Sequence, residues 1–133
     1  MAMACFDTTF LIDLSRLKKQ HSDFFDTLMD EHTLKTSAIS VAELLWGAYN
    51  KGSAEEIEFT KSLLSKFEIL PFDARAADIY ASISTSLRQK GISLKAFDEL
   101  IAATAIRFNE PLITRDREFK RVPGLEVIEY ELK

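Results

Sequence analysis

The sequence predicts an α/β protein in which helices cover both faces of a mostly parallel sheet. Short apolar runs alternate along the chain with segments of helical periodicity about 10 to 15 residues long, a pattern typical of successive strand–helix–strand units. The chain has 133 residues, 47% of them hydrophobic and 29% charged, with four glycines and three prolines. We therefore expect a single domain over residues 1–133, with one hydrophobic core and no long disordered segment.

The first strand is predicted over the apolar residues 2–6, which include the only cysteine, Cys5. Asp7 follows this strand, and Thr8-Thr9 forms the entrance to a helix that runs to about residue 18. A second helix is predicted over residues 22–31, where apolar residues recur at helical spacing.

A weak second strand over residues 33–38 precedes the third helix, in which Ser40 and Glu43 have the spacing of a capping box. In that arrangement the Ser40 side chain accepts from a helical amide and Glu43 reaches back to the cap, which gives Glu43 a purely structural role. Trp46, one turn further on, is expected in the core, with the contact surface of a partner as the alternative. Lys51-Gly52 ends the helix.

The rest of the chain repeats the alternation. The predicted elements are a helix over 53–66, a strand over 68–70 closed by Pro71, a helix over 74–89 capped by Asp73, a helix over 95–108, a strand over 112–114, a charged turn over 115–121 and a strand over 125–130.

Composition narrows the function classes. The net charge is −4, so the chain as a whole does not have the basic character of many nucleic-acid-binding domains, although Arg115, Arg117, Lys120 and Arg121 form a local basic cluster. No apolar run is long enough for a membrane span, and the first residues lack the basic start of a signal peptide. With a single cysteine, these features predict a cytoplasmic protein.

Four acids are placed to meet at one end of the predicted sheet. Asp7 follows the first strand and Asp116 follows the fourth, while Glu43 and Asp98 lie near the starts of helices. Ligands of parallel sheets bind beyond the carboxyl ends of the strands. Asp98 has two interpretations: it favours the positive end of the helix dipole, or it shares a stripe with small apolar residues and needs a cation.

Clustered carboxylates resist ionisation unless a cation neutralises them, and oxygen ligands of this kind suit Mg²⁺ or Mn²⁺. Such a site predicts metal-dependent hydrolysis of phosphodiesters. The hydroxyls of Thr8, Thr9 and Thr114 could orient the carboxylates, and Arg115 and Arg117 could hold phosphates. Sequence motifs for glycine-rich phosphate loops, zinc proteases and serine hydrolases do not occur.

Four segments resemble the motifs of PIN-domain ribonucleases, specifically the VapC-type toxins of toxin–antitoxin modules. They occur in the family's order, and the resemblance runs from Phe6 to about Val127. The segments are Asp7-Thr8-Thr9-Phe10-Leu11-Ile12-Asp13, Ser40-Val41-Ala42-Glu43-Leu44, Phe97-Asp98-Glu99-Leu100-Ile101-Ala102-Ala103-Thr104-Ala105 and Leu112-Ile113-Thr114-Arg115-Asp116-Arg117-Glu118-Phe119.

The resemblance implies which residues form the site. The catalytic and metal-binding acids would be Asp7, Glu43, Asp98 and Asp116. The supporting residues would be Thr9, Thr114 and Glu118. The family often has Asn where Asp116 stands and an acid where Glu118 stands, so the choice of fourth acid stays open. Asp13 matches a family position and is expected to be structural.

The resemblance also implies a three-layer α/β/α sandwich around a five-stranded sheet, and Mg²⁺ or Mn²⁺ as cofactor. The implied activity is cleavage of structured cellular RNA such as tRNA or rRNA, which would inhibit translation. The implied assembly is a homodimer held by a VapB-type antitoxin, as a heterotetramer or hetero-octamer on operator DNA. The alternative is a non-catalytic module with the same fold that binds RNA or protein.

Overall fold

The computed structural model describes residues 1–132 and contains five short strands separated by helices. In chain order the elements are β1 (Cys5–Phe6), α1 (Thr8–Leu17), α2 (Ser22–Glu31), β2 (Lys35–Ser37), α3 (Ala38–Lys51), α4 (Ala54–Leu64), β3 (Glu68–Leu70), α5 (Ala74–Gln89), α6 (Ala96–Arg107), β4 (Leu112–Thr114), a 3₁₀ helix (Arg117–Arg121) and β5 (Val127–Glu129).

All neighbouring strands pair in parallel, in the order β3-β2-β1-β4-β5. β1 lies at the centre, with Phe6 opposite Thr36 on one side and Ile113 on the other. The predicted α/β sheet with five strands is confirmed, and it is entirely parallel. Because parallel strands end at the same edge, the segments that follow β1 and β4 lie side by side.

The two faces of the sheet carry separate hydrophobic cores, because successive strand side chains point to opposite faces. Phe6 packs with Phe10 and Phe25 in the core under α1, α2 and α4. Its neighbour Cys5 belongs to the other core, with Ile101 of α6 and residues of α5. Burial raises the pKa of the Cys5 thiol to about 12. The three-layer arrangement expected from the resemblance follows from this alternation.

The start of α3 differs from the prediction. The helix begins at Ala38, and the Ser37 side chain caps it by accepting from the backbone N–H of Ser40 at 3.0 Å. Ser40 therefore lies inside the first turn, so the predicted capping box of Ser40 and Glu43 is wrong. Both serines are buried. The carboxylate of Glu43 is consequently available for a contact elsewhere.

Two smaller expectations also change. Trp46 is 70% exposed on α3, so its predicted place in the core is wrong. The charged turn over 115–121 contains the 3₁₀ helix, which the buried ring of Phe119 fixes to the core. None of the helices within residues 1–132 combines the length and apolar character needed to cross a membrane.

Candidate active site

Asp7 occupies the centre of the sheet edge at which the strands end. It directly follows β1, and its backbone N–H donates to the carbonyl of Ile113 at 3.0 Å, which continues the pairing with β4. The side chain is 2% exposed. The Thr114 hydroxyl donates to Asp7 Oδ2 at 2.7 Å, and the backbone N–H of Thr8 donates to Oδ1 at 2.7 Å. Both carboxylate oxygens are thus held in place.

Burial raises the pKa of Asp7 to about 6, even though hydrogen bonds from Thr114, Thr8 and Thr9 favour the charged form. The negative charge of Glu43 raises it further. The ionised carboxylate is therefore disfavoured at this position unless a cation accompanies it.

Glu43 reaches the same region from α3. The Thr8 hydroxyl donates to Glu43 Oε1 at 2.8 Å and lies 2.8 Å from the hydroxyl of Ser40. The Ser40 hydroxyl in turn lies 3.1 Å from that of Ser37. This chain of hydroxyls orients Glu43 toward the first turn of α1 and so toward Asp7.

Asp98 lies half-buried in the first turn of α6. Burial raises its pKa to about 6, and the negative charges of Asp7, Asp116 and Glu43 raise it further, whereas Lys95 lowers it. If stabilisation by the helix dipole were dominant, this pKa would fall. The pKa shifts in the opposite direction, and the charges that contribute to it show that the four carboxylates share one electrostatic environment.

Asp116 is positioned by the turn after β4. Its backbone N–H donates to Thr114 Oγ1 at 3.0 Å, and its Oδ1 accepts from the backbone N–H of Glu118 at 3.0 Å. Glu118 is exposed and pairs with Arg121 at 3.0 Å. Asp116 raises the pKa of Asp98 through its charge. The geometry therefore favours Asp116 over Glu118 as the fourth acid of the cluster.

The two arginines predicted to hold phosphates are both paired within the chain. Arg115 Nε lies 2.7 Å from Asp13 Oδ2, and Arg117 Nε lies 3.0 Å from Glu129 Oε2. A phosphate would have to compete with these carboxylates. Asp13 is buried, in agreement with the structural role expected for it.

Two contributors to the site were not identified as such from the sequence. The sequence predicts a helix cap at Ser40, yet its hydroxyl lies beside that of Thr8. Tyr130 donates its phenolic proton to Asp13 Oδ2 at 2.8 Å. The signal for Ser40 is the earlier Ser37, which can cap the helix three residues sooner and leave Ser40 inside it.

The four carboxylates supply only oxygen ligands, which is the donor set for Mg²⁺ or Mn²⁺. Within residues 1–132 no group of three or more His, Cys, Asp or Glu side chains is close enough to hold a metal ion by itself. Mg²⁺ usually binds through one or two carboxylates, waters and substrate phosphates rather than in an all-protein cage. The residues present therefore fit a divalent cation that is completed by water and substrate.

Comparison with known proteins defines the class. Residues 4–125 match the PIN domain family. Ribonuclease VapC1 of Rickettsia felis is 35% identical in an alignment that spans 92% of each chain. Ribonuclease VapC of Rickettsia bellii is 45% identical over 58% of this chain and 56% of that protein. The tRNA(fMet)-specific endonuclease VapC of Salmonella typhimurium is 30% identical over 68% of this chain and 70% of that protein.

The fold has a matching solved structure. VapBC2 of Rickettsia felis, crystallised with a DNA fragment from its promoter, superposes with a TM-score of 0.85 and 28% identity over 97% of this chain and 99% of that chain. The α/β sheet is thus that of a PIN domain. The chain belongs to the PIN-domain family and, within it, to the VapC ribonucleases.

Proposed function

We propose that the chain is an endoribonuclease toxin that hydrolyses phosphodiester bonds in structured cellular RNA with the help of Mg²⁺ or Mn²⁺. The observation that carries this proposal is the meeting of Asp7, Glu43, Asp98 and Asp116 at one edge of the sheet, where the pKa values of Asp7 and Asp98 are raised to about 6. Buried carboxylates that repel one another are unfavourable for folding, and a cation-dependent function accounts for their presence.

In this proposal Asp7, Glu43, Asp98 and Asp116 would hold the divalent cation or cations, directly or through water. A bound cation would offset the negative charge that develops on the phosphoryl oxygens and would lower the pKa of the attacking water. Thr114 and the Thr8 amide fix the direction of both Asp7 oxygens. The Thr8 hydroxyl does the same for Glu43. These fixed donors keep the carboxylates aligned before substrate arrives.

The relatives support the substrate class and the partner. One is named a tRNA(fMet)-specific endonuclease, so we propose tRNA or rRNA as the substrate and inhibition of translation in the cytoplasm as the effect. The solved VapBC2 complex includes promoter DNA. It supports a VapB-type antitoxin and operator DNA as partners. We propose in addition that the antitoxin neutralises this toxin and that a toxin homodimer assembles with it into a heterotetramer or hetero-octamer.

The test uses purified wild-type protein, Asp7→Asn, Asp98→Asn and, as a matched control, Asp78→Asn at an exposed position on α5. Each is incubated with total tRNA and rRNA in Mg²⁺, in Mn²⁺ or in EDTA, and the cleaved ends are mapped. We expect cleavage by wild type and Asp78→Asn only, and none in EDTA.

Wild-type rates for Asp7→Asn and Asp98→Asn would contradict the assignment of the acids. If wild type cleaves no RNA in either metal but still binds an antitoxin, the chain is instead a non-catalytic binding module.

A further inference from the structure

Asp13, Arg115 and Tyr130 form a polar network beside the acidic cluster, and it joins three distant parts of the chain. Arg115 donates to Asp13 from Nε to Oδ2 at 2.7 Å and from its terminal Nη2 to Oδ1 at 3.1 Å. Tyr130 adds a hydrogen bond to the same Oδ2 at 2.8 Å. The network therefore ties α1 to the segment after β4 and to the residue after β5.

We propose that this network positions Asp116 for catalysis, an inference that rests on the proposed function. Arg115 lies between Thr114 and Asp116, which are the residues that contact Asp7 and complete the acidic cluster. Thr114 Oγ1 donates to Asp7 and accepts from the Asp116 backbone N–H at 3.0 Å. Anchoring the Arg115 side chain to the buried Asp13 restrains the residue between them.

The network differs from an ordinary surface ion pair. Asp13 is 4% exposed, and a buried carboxylate without compensation is strongly unfavourable. Tyr130, one of the two partners of Asp13, is itself held in place. Its ring packs edge-on against Phe10 at a centroid distance of 5.6 Å, and the Tyr130 backbone N–H donates to the Thr114 carbonyl at 3.2 Å. The bidentate geometry also fixes the orientation of the guanidinium. The anchor is thus rigid on the side of the core.

The pairing assigns Arg115 a role different from a direct phosphate contact. A guanidinium that binds RNA would be restrained by Asp13 and released by its removal, so Asp13→Asn would leave turnover intact and favour RNA binding. A guanidinium that positions Asp116 needs Asp13, so removal of either partner would harm turnover alike. The two roles predict opposite effects for the same substitution.

The experiment measures kcat and KM for RNA cleavage, with saturating Mn²⁺, for wild type, Asp13→Asn, Arg115→Met and the double variant. Arg75→Met is the matched control, because Arg75 is an exposed arginine on α5, outside the turn that carries Arg115 and Asp116. Mn²⁺ affinity is measured separately by calorimetry without RNA, and folding by thermal unfolding.

We expect both single variants to lose kcat or Mn²⁺ affinity by about 10- to 100-fold, as happens when residues that orient metal ligands are removed, with KM for RNA within about twofold of wild type. The double variant should be no worse than either single one, because the two residues act as one unit. It should also be more stable than Arg115→Met, since it leaves no unpaired buried charge, yet its kcat should stay low.

A raised KM for Arg115→Met together with a wild-type kcat for Asp13→Asn would overturn the proposal in favour of a phosphate contact. Wild-type kcat and Mn²⁺ affinity in the double variant would refute it as well. If Asp98→Asn is inactive while these variants are unaffected, only the positioning role fails. If Asp98→Asn cleaves at the wild-type rate, the proposed function fails first.

Discussion

Replacing Asp98 with Asn is expected to stabilise the metal-free protein while it removes cleavage. The pKa of Asp98 rises from 3.8 to about 6, so at pH 7 the folded state carries an ionised carboxylate that it disfavours, and the unfolded state does not bear this penalty. For a fully buried group the difference would correspond to about 3 kcal/mol. Because Asp98 is only half-buried, solvent screening reduces the expected gain to about 1 kcal/mol.

The assay is thermal unfolding followed by circular dichroism in EDTA at pH 7 and pH 4.5. At pH 7 the Asn variant should unfold about 3–5 °C above wild type. Most of the gain should be lost at pH 4.5 and the rest below the unfolded pKa of 3.8, because the folded wild-type carboxyl takes up its proton as the pH falls through about 6. Asp78→Asn on the exposed face of α5 should change the midpoint at neither pH.

A lower midpoint for Asp98→Asn at pH 7 would refute the reasoning, because it would mean that the carboxylate stabilises the apo fold. An equal gain at both pH values would refute it too, since repulsion between ionised groups could not be the cause. Added Mg²⁺ should raise the wild-type midpoint more than that of the variant, because the cation binds the native carboxylates.

Three other predictions concern the same edge of the sheet and its opposite end. Thr114→Val removes the hydroxyl that donates to Asp7 and accepts from the Asp116 backbone N–H. The cleavage rate, measured by RNA end mapping, should fall about 10- to 100-fold. The free energy of unfolding, measured by urea titration, should fall by about 1–2 kcal/mol. At low Mg²⁺ the cleavage rate should rise with pH through about 6 as the two acids of raised pKa ionise, and higher Mg²⁺ should move this rise to lower pH; a flat rate–pH profile would contradict the assignment. At the opposite end, Lys35→Met leaves buried Glu110 without its partner at 2.6 Å and should cost about 3–5 kcal/mol in urea titration, without changing the metal dependence of cleavage.

Much of the fold could be predicted because the residues that begin and end its strands and helices act locally. β3 ends before Pro71, whose missing N–H stops the ladder, and α5 begins after Asp73, whose side chain accepts from the N–H of Ala76 at 2.9 Å. The start of α3 could not be predicted as surely, because Ser37 and Ser40 are both good caps. Only the pairing of β2 with its neighbours determines that the strand ends at Ser37 and the helix begins at once.

The acids could be predicted from the order of elements, since carboxyl ends of parallel strands share an edge. The network of Asp13, Arg115 and Tyr130 beside these acids could not be predicted from the sequence. Asp13 is separated from Arg115 by 102 residues and from Tyr130 by 117, and no local pattern links them. Read alone, Arg115 is a charge in a basic turn, which favours an interpretation as a phosphate ligand. Its actual partner is determined by the packing of α1 beside β4.

The buried carboxylates differ in whether a basic side chain neutralises their charge. Asp13 and Glu110 are buried, and each has a basic partner within hydrogen-bonding distance. Asp7 is as deeply buried, yet no Lys or Arg within residues 1–132 forms an ion pair with it or with Asp98. At the centre of the cleft, burial and the charges of neighbouring acids instead raise the pKa values of Asp7 and Asp98. A divalent cation would relieve this uncompensated charge, so the electrostatics support the proposal of a metal site at the acidic edge.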